Sequence, residues 1–357
     1  MSVVLIAGAS GLVGRAAVEH FARTGREVVA LARRRPIDDH GARFVSVDLT
    51  DPSACHAALA GLDIERVVYA ALYERPDLLG GWTEREQIDV NAAMLANLVE
   101  AADGPALRHV SIVQGPKAYG IHLGTTELPM REGVHERRDV PNFYWTQEDW
   151  LRERQRGRAW SWTVFRPAMV IGEAVGSAMN TIAALGVYAA VLRERGEPLH
   201  YPGWPGRVGQ PTDTALLARA FDWAASAPAA ANEVFNVTDG EIVAMRSLWP
   251  TIADAVGMEP GEDRPIRLVE ALADADAIWD RIRERDELLA PPLAEFLGQS
   301  PQLLDFSFHL GEDALLPQGI LSDVKLRRAG FHDVIDSETA FRSWFARYQR
   351  DRLLPSP

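Results

Sequence analysis

The 357-residue chain is short of cysteine, of lysine and of long apolar runs, and each shortage closes a class of function. Cys55 is the single cysteine; that excludes an intramolecular disulfide and a cysteine-built zinc cluster, and fits a reducing compartment. No stretch reaches the roughly 18 uninterrupted apolar residues of a membrane span. The apolar start Met1–Gly8 is too short for a secretory signal and has no basic leader, so a cytoplasmic protein with no membrane partner is expected. Positive charge is also scarce, 37 Lys and Arg against 50 Asp and Glu for a net −13. This argues against nucleic acid as a partner and requires that any bound anion be captured locally. The nine histidines contain no His-x-x-x-His pair, and Gly-x-Ser-x-Gly is absent; neither a metal centre nor a hydrolase elbow is expected.

What is present is ordinary for a globular protein with a sizeable core, 47% hydrophobic and 24% charged residues. The length exceeds the usual single-core size, which predicts one large domain and a smaller lobe. Short apolar runs at Val3–Ala7, Arg26–Ala32, Arg43–Val47, Arg66–Ala71, His109–Val113 and Ser161–Phe165 read as strands. Helical patterns at Val13–Ala22, Glu84–Ala102 and Tyr144–Arg156 alternate with them. Buried strands separated by helices predict an α/β fold, a doubly wound parallel-sheet Rossmann domain over residues 1–172 that also receives parts of 206–240. Residues 173–357 are expected to form mainly a smaller, interwoven and mostly helical substrate-binding lobe. Its helices are read at Ser177–Leu192, Asp213–Trp223, Met245–Val256, Leu268–Arg283 and Ser337–Tyr348, with a strand at Glu233–Val237. Ser322 is read as the cap of a helix Asp323–Ala329 that stops at Gly330.

Gly8-Ala-Ser10-Gly11-Leu12-Val13-Gly14 joins the first strand to the first helix. Its glycines allow the tight turn, the close approach of a pyrophosphate and the packing of helix on strand, and the helix N-terminus offers N–H groups to phosphate. The second strand decides which dinucleotide is expected. An NAD site places Asp or Glu about twenty residues on, whereas here Val28-Val-Ala-Leu-Ala32 runs into Arg33-Arg34-Arg35. Guanidiniums suit a 2′-phosphate through forked bonds, so NADPH is expected, held by Arg33 and Arg34. Asp48 and Leu49 end the third strand, where the carboxylate either meets the adenine amino group or caps the segment that begins at Asp51. Ala71, Gln114, Pro167 and Val170 complete the expected cofactor-binding set.

Proton-donor chemistry beside a nicotinamide commonly pairs Tyr with Lys four residues on, and no Tyr-x-x-x-Lys exists here. Glu148 stands four residues after Tyr144, where it would repel a phenolate. Lys117 and Lys325 are the only lysines; a chain that otherwise uses Arg has retained a compact, titratable ammonium at these two positions. The segments Gly115-Pro-Lys117-Ala-Tyr119, Asn142-Phe-Tyr144-Trp-Thr-Gln-Glu148-Asp149 and Trp162-Thr-Val-Phe-Arg166-Pro167 resemble the progesterone 5-beta-reductase and iridoid synthase-like enone reductases. Ser177-Ala-Met-Asn180, Ile320-Leu-Ser-Asp-Val-Lys325, Gly330-Phe and Phe341-Arg-Ser-Trp344 extend the likeness over nearly the whole chain, as does the basic turn Ala32-Arg33-Arg34.

The resemblance implies a catalytic pair, Lys117 from the loop after strand five and Tyr144 from the Asn-Phe-Tyr segment. It implies 1,4-reduction of an enone or enal, with Tyr144 donating to the developing enolate and Lys117 holding the ribose and biasing the phenol toward ionisation. Trp145 stands where the family often has a second tyrosine, and Gln114 where plant members carry a small hydroxyl residue. Tyr119 is read as packing or pocket wall, and Glu148-Asp149 as a solvated helical face. The second lobe is expected to cover the nicotinamide with an apolar pocket for a small lipophilic carbonyl substrate; Met179, Val187, Tyr188, Trp145, Phe306 and Phe308 are its candidate walls. Two rival readings stay open, a sugar-nucleotide epimerase or dehydratase and a non-catalytic NADP-sensing regulator. Base rates make a homodimer the default oligomer.

Overall fold

The computed structural model describes residues 2–75, 83–124, 127–308 and 319–357. Two compact units emerge from the contacts, Met1–Ala168 with Thr214–Val237 and Leu321–Asp333, and Met169–Asp213 with Thr238–Ile320 and Val334–Pro357. The opening stretch of the first unit thus ends at Ala168, against an expected boundary at 172, and the unit also takes in 321–333, expected in the second lobe.

The first unit is built on a seven-stranded sheet of β1 Val3–Ala7, β2 Glu27–Ala32, β3 Arg43–Ser46, β4 Ile64–Tyr69, β5 His109–Val113, β6 Ser161–Pro167 and β7 Glu233–Val237. Their spatial order is β7-β6-β5-β4-β1-β2-β3, and every pairing is parallel. All five residues of β1 are buried, as a parallel strand covered on both faces demands. Alternation across the pleat sends Val3, Leu5 and Ala7 into one core with Leu95, Leu98 and Val99. Those three leucine and valine residues belong to the helix Arg85–Ala102. Helix α1, Leu12–Arg23, packs with the helix Thr214–Ala224. The sheet order reverses direction between β1 and β4, and in such folds ligands bind beyond the carboxyl ends of the strands at that point.

Residues 321–333 join this unit through bonds rather than periodicity. Leu321 bridges to Met130, Ser322 N donates to Met130 O at 2.9 Å, and the Lys325 ammonium reaches Glu233 at 2.7 Å. The helix there spans Val324–Arg328 with Asp323 at its N-cap, so Ser322 is not the cap; its N–H is spent on Met130. Gly330 follows with φ +104, a left-handed stop.

The second unit is mostly helical. Its central helix, Thr181–Glu194, buries every residue from Thr181 to Leu192, as a helix apolar on all sides must. It starts four residues later than the pattern suggested because Asn180 caps it: Oδ1 accepts from Ala183 N at 3.1 Å, while Nδ2 donates to the Tyr348 hydroxyl at 2.7 Å. Val187, Tyr188 and Phe308 are fully buried in this core, whereas Met179 and Phe306 are half-buried. The expected helix Leu268–Arg283 is two, Leu268–Ala271 and Asp276–Arg285. Leu268, Ala271, Leu272, Ala275, Trp279 and Ile282 are all buried, so the three-and-four spacing runs across the break and hides it from the sequence. No helix among the described residues is long and apolar enough to cross a membrane.

Candidate active site

The glycine loop lies at the switch point. Gly8 has φ +82, and a Cβ there would stand 2.5 Å from Ala70 O, where the chain leaves β4. A Cβ on Gly14 would stand 2.1 Å from Gly8 O, so no side chain fits between helix and strand. Gly11 is different: the nearest atom to its Cβ position is Gly8 O at 3.4 Å, so among the described residues nothing crowds a side chain there. Gly11 is also the N-cap of α1 and offers no side-chain cap. Among the described residues the amides of Leu12, Val13 and Gly14 have no acceptor. Orphan N–H groups at a helix N-terminus, beside a glycine cradle, fit a pyrophosphate. Ser10 is half-buried in the same loop.

Arg33 and Arg34 follow β2 with exposed side chains. Arg35 is occupied, its guanidinium bonded to Asp39 at 2.6 Å. Asp48 is exposed, and its Oδ1 accepts from both the N–H and the hydroxyl of Thr50 at 2.9 and 2.8 Å, bonds that hold the carboxyl below its usual range. Capping of the next helix falls instead to Asp51, which accepts from Ser53 N and Ala54 N. Leu49 is buried and its carbonyl accepts from Asn97 at 2.9 Å. Ala71 is half-buried just past β4, and Pro167 ends β6. Val170 belongs to the second unit, on the strand Met169–Ile171 paired with Pro211–Asp213.

Lys117 and Tyr144 come together from segments 27 positions apart in the numbering. Lys117 sits in the one-turn 3-10 helix Pro116–Tyr119 just past β5, and Tyr144 in the first turn of the helix Phe143–Gln155. The ammonium stands 5.6 Å from the ring centroids of both Phe143 and Tyr144, within cation–π range. Burial lowers the Lys117 ammonium to about 8, with the Glu74 charge working the other way. Burial raises the Tyr144 phenol well above its usual value; Glu74 adds to this and Arg166 opposes it. Desolvation thus outweighs the one cation that draws the phenol down, the Arg166 guanidinium, and its net shift is upward. Its hydroxyl has no hydrogen-bond partner among the described residues, and a Cβ on Gly115 would lie 3.4 Å from it.

Glu148 is not a solvated face. It is 1% exposed, and its carboxylate takes Arg166 at 3.0 Å and Arg138 and Arg152 at 2.8 Å each. Three guanidiniums neutralise the charge that the one-turn spacing would otherwise set against Tyr144. Arg166, fully buried at the end of β6, also bonds Glu136 at 2.6 Å, the Tyr119 hydroxyl at 3.2 Å and Gln114 Oε1 at 3.0 Å. Tyr119 in turn donates to Asn236 Oδ1 of β7 at 2.6 Å, so it is a hydrogen-bonding hub rather than a packed wall. Trp145 is clamped by the same cluster: its indole N–H donates to Arg137 O at 3.1 Å, and Arg138 lies 4.7 Å above its ring. Gln114, expected in the cofactor-binding set, is 4% exposed and spends both ends of its amide within the protein instead, Nε2 on Tyr144 O at 3.0 Å and Oε1 on Arg166. Glu74, held by Gln87 at 2.9 Å, was missed by sequence reasoning, as were Glu136 and Asn236. The signal available was Arg166 itself, since a charge closing an apolar strand must find buried acids.

Residues 4–193 match the model of the NAD dependent epimerase/dehydratase family. The chain is 30% identical to an (S)-8-oxocitronellyl enol synthase of Nepeta racemosa, over 99% of this chain and 93% of that protein. It is 29% identical to a 3-oxo-Delta(4,5)-steroid 5-beta-reductase of Arabidopsis thaliana, again over 99% and 93%. Among solved structures it is similar to the UDP-glucose 4-epimerase of Thermotoga maritima, with TM-score 0.69, 16% identity, and 98% and 99% of the two chains covered. The Thermus thermophilus UDP-glucose 4-epimerase complexed with NAD superposes with TM-score 0.65 at 19% identity, covering 97% and 99%. At such identities the structural likeness speaks to the fold alone.

Proposed function

The chain belongs to the NAD dependent epimerase/dehydratase family and, within it, to the group of its iridoid-synthase and steroid 5-beta-reductase relatives; from this we propose that it reduces the C=C bond of activated enones or enals with NADPH. The observation that carries the reading is the convergence of the Lys117 ammonium on the Tyr144 ring at 5.6 Å. A nicotinamide dinucleotide suits the glycine cradle, with the amides of Leu12, Val13 and Gly14 for its pyrophosphate. The exposed Arg33 and Arg34, in place of an acid, favour a 2′-phosphate and hence NADPH. Lys117 is the residue for the nicotinamide ribose and Asp48 for the adenine.

When bound, the cofactor supplies a hydride to the substrate β-carbon. Tyr144 donates a hydrogen bond to the carbonyl oxygen, where negative charge gathers as the enolate forms. Because burial keeps the phenol protonated, it polarises that oxygen, and solvent can deliver the proton to carbon afterwards. Lys117 adds a positive charge on the same side. The absence of Tyr-x-x-x-Lys, with Glu148 at that spacing already committed to arginines, weighs against epimerase chemistry. A small lipophilic carbonyl compound is the substrate class.

The test is NADPH consumption across small enones, steroid enones, enals and sugar nucleotides, with Tyr144→Phe alongside. The parent should reduce enones or enals, and Tyr144→Phe should lose roughly 100-fold or more in kcat while NADPH binding survives. Unchanged turnover in that variant, or turnover of sugar nucleotides alone, would refute the assignment.

A further inference from the structure

We propose that Gln114 is a positioning residue for Tyr144, an amide strut between the helix that carries the phenol and the buried Arg166; the proposal rests on the reading of Tyr144 as donor. The orientation of the amide follows from its partners. Arginine can only donate, so the Gln114 oxygen must face Arg166 Nε at 3.0 Å, and the NH₂ must face the Tyr144 carbonyl at 3.0 Å. The backbone of Gln114 is fixed as well, its N–H donating to Phe165 O of β6 at 2.8 Å.

Tyr144 is pinned on both sides of its Cα. Asn142 Oδ1 accepts from the Tyr144 N–H at 3.0 Å, and Gln114 holds the carbonyl. With both peptide groups held, the direction of the Cα–Cβ bond is set. The Phe143 ring, edge-on at 4.6 Å between centroids, packs against the ring that leaves it. Arg166 carries the other end of the strut to Glu136, Glu148 and Tyr119, and Tyr119 carries it to Asn236 on β7. The phenol is thereby referenced to three adjacent strands rather than to the first turn of one helix. A hydrogen-bond donor to an enolate needs that rigidity, since a displacement of about 1 Å in a reacting arrangement can cost on the order of 100-fold in rate. Gln114 does not touch substrate in this account: it is 4% exposed and both polar ends are used.

Gln114→Glu separates the two ends of the strut. It keeps an oxygen for Arg166 and has no N–H for the Tyr144 carbonyl. Steady-state kinetics with a responsive enone, NADPH titration and thermal melting would be measured for the parent, Gln114→Glu, Tyr144→Phe and the double variant. We expect Gln114→Glu to lose between roughly tenfold and 100-fold in kcat, with KM and the NADPH Kd within about twofold. In the Tyr144→Phe background the same change should have no further effect, because nothing is left to position. Gln114→Met, which removes both polar ends without adding charge, repeats the cycle if the Glu variant does not fold. An unchanged kcat in a folded Gln114 variant, or an equal loss in both backgrounds, overturns the proposal. Full turnover by Tyr144→Phe alone is a different result: it removes the donor reading and the strut with it.

Discussion

The Lys117 ammonium titrates near 8 because burial strips its water while Glu74 returns part of the lost stabilisation. Its charged form dominates below that pH and its neutral form above. If the charge serves the reaction, kcat/KM is level through neutrality and falls as pH rises past about 8. Lys117→Arg, whose guanidinium stays protonated, should act at a lower level and lose that alkaline limb; a pH–rate profile of both proteins decides it. Arg33 and Arg34 carry a separate prediction. Replacing both by Ala should weaken NADPH by about 1.5–3 kcal/mol for each charge-assisted bond lost and leave NADH binding unchanged, as read by titration of intrinsic fluorescence. Residue by residue, the approach of Lys117 to Tyr144 was legible through their segments, and the tight strand-to-helix turn through the spacing of its glycines. The arginine cluster was not. Its members Glu136, Glu148, Arg166 and Asn236 come from four different elements or loops, and only the folded sheet brings them together.

Among elements, the turn from β1 to α1 is the one whose tolerance can be stated most sharply. At Gly14 a methyl would meet the backbone oxygen of Gly8 at 2.1 Å, whereas at Gly11 the same oxygen is 3.4 Å away. Gly14→Ala should therefore cost about 1–3 kcal/mol of overpacking strain, lower the melting temperature and abolish cofactor binding as the helix shifts. Gly11→Ala should melt close to the parent and lose affinity for the dinucleotide. Melting curves with and without NADPH distinguish the two. The strands Val3–Ala7, His109–Val113 and Glu233–Val237 were read to the residue, their short apolar runs being too brief for a packed helix. The start of the central helix of the second unit was displaced because a side chain, Asn180, decides it. The break after Ala271 was invisible because burial keeps helical spacing through a turn.

For the molecule as a whole, His109 ties stability to pH. It is buried on β5 with Nδ1 2.9 Å from the Ser161 hydroxyl, and burial, helped by Arg66, lowers it from 6.5 to about 3. The unfolded chain takes up a proton that the folded chain refuses, so this contribution is complete above about 6.5 and is lost as pH falls toward about 3. Melting temperatures followed downward from neutrality should fall more steeply for the parent than for His109→Asn. The parallel sheet and its glycine loop were legible at this scale, because both follow from periodicity and punctuation. The membership of 321–333 in the first unit was not, since it depends on Met130, 191 positions from Leu321, and Glu233, 92 positions from Lys325.

Each compact unit is assembled from three separate stretches of chain. No single scission yields either one whole. A chain shortened to its first 168 residues would lack β7, and β6 would become the margin of the sheet with Val164 and Phe165 beside unpaired backbone groups. A bare, apolar margin of that kind recruits other chains, so the integrity of the first unit depends on residues made long after its opening stretch on the ribosome.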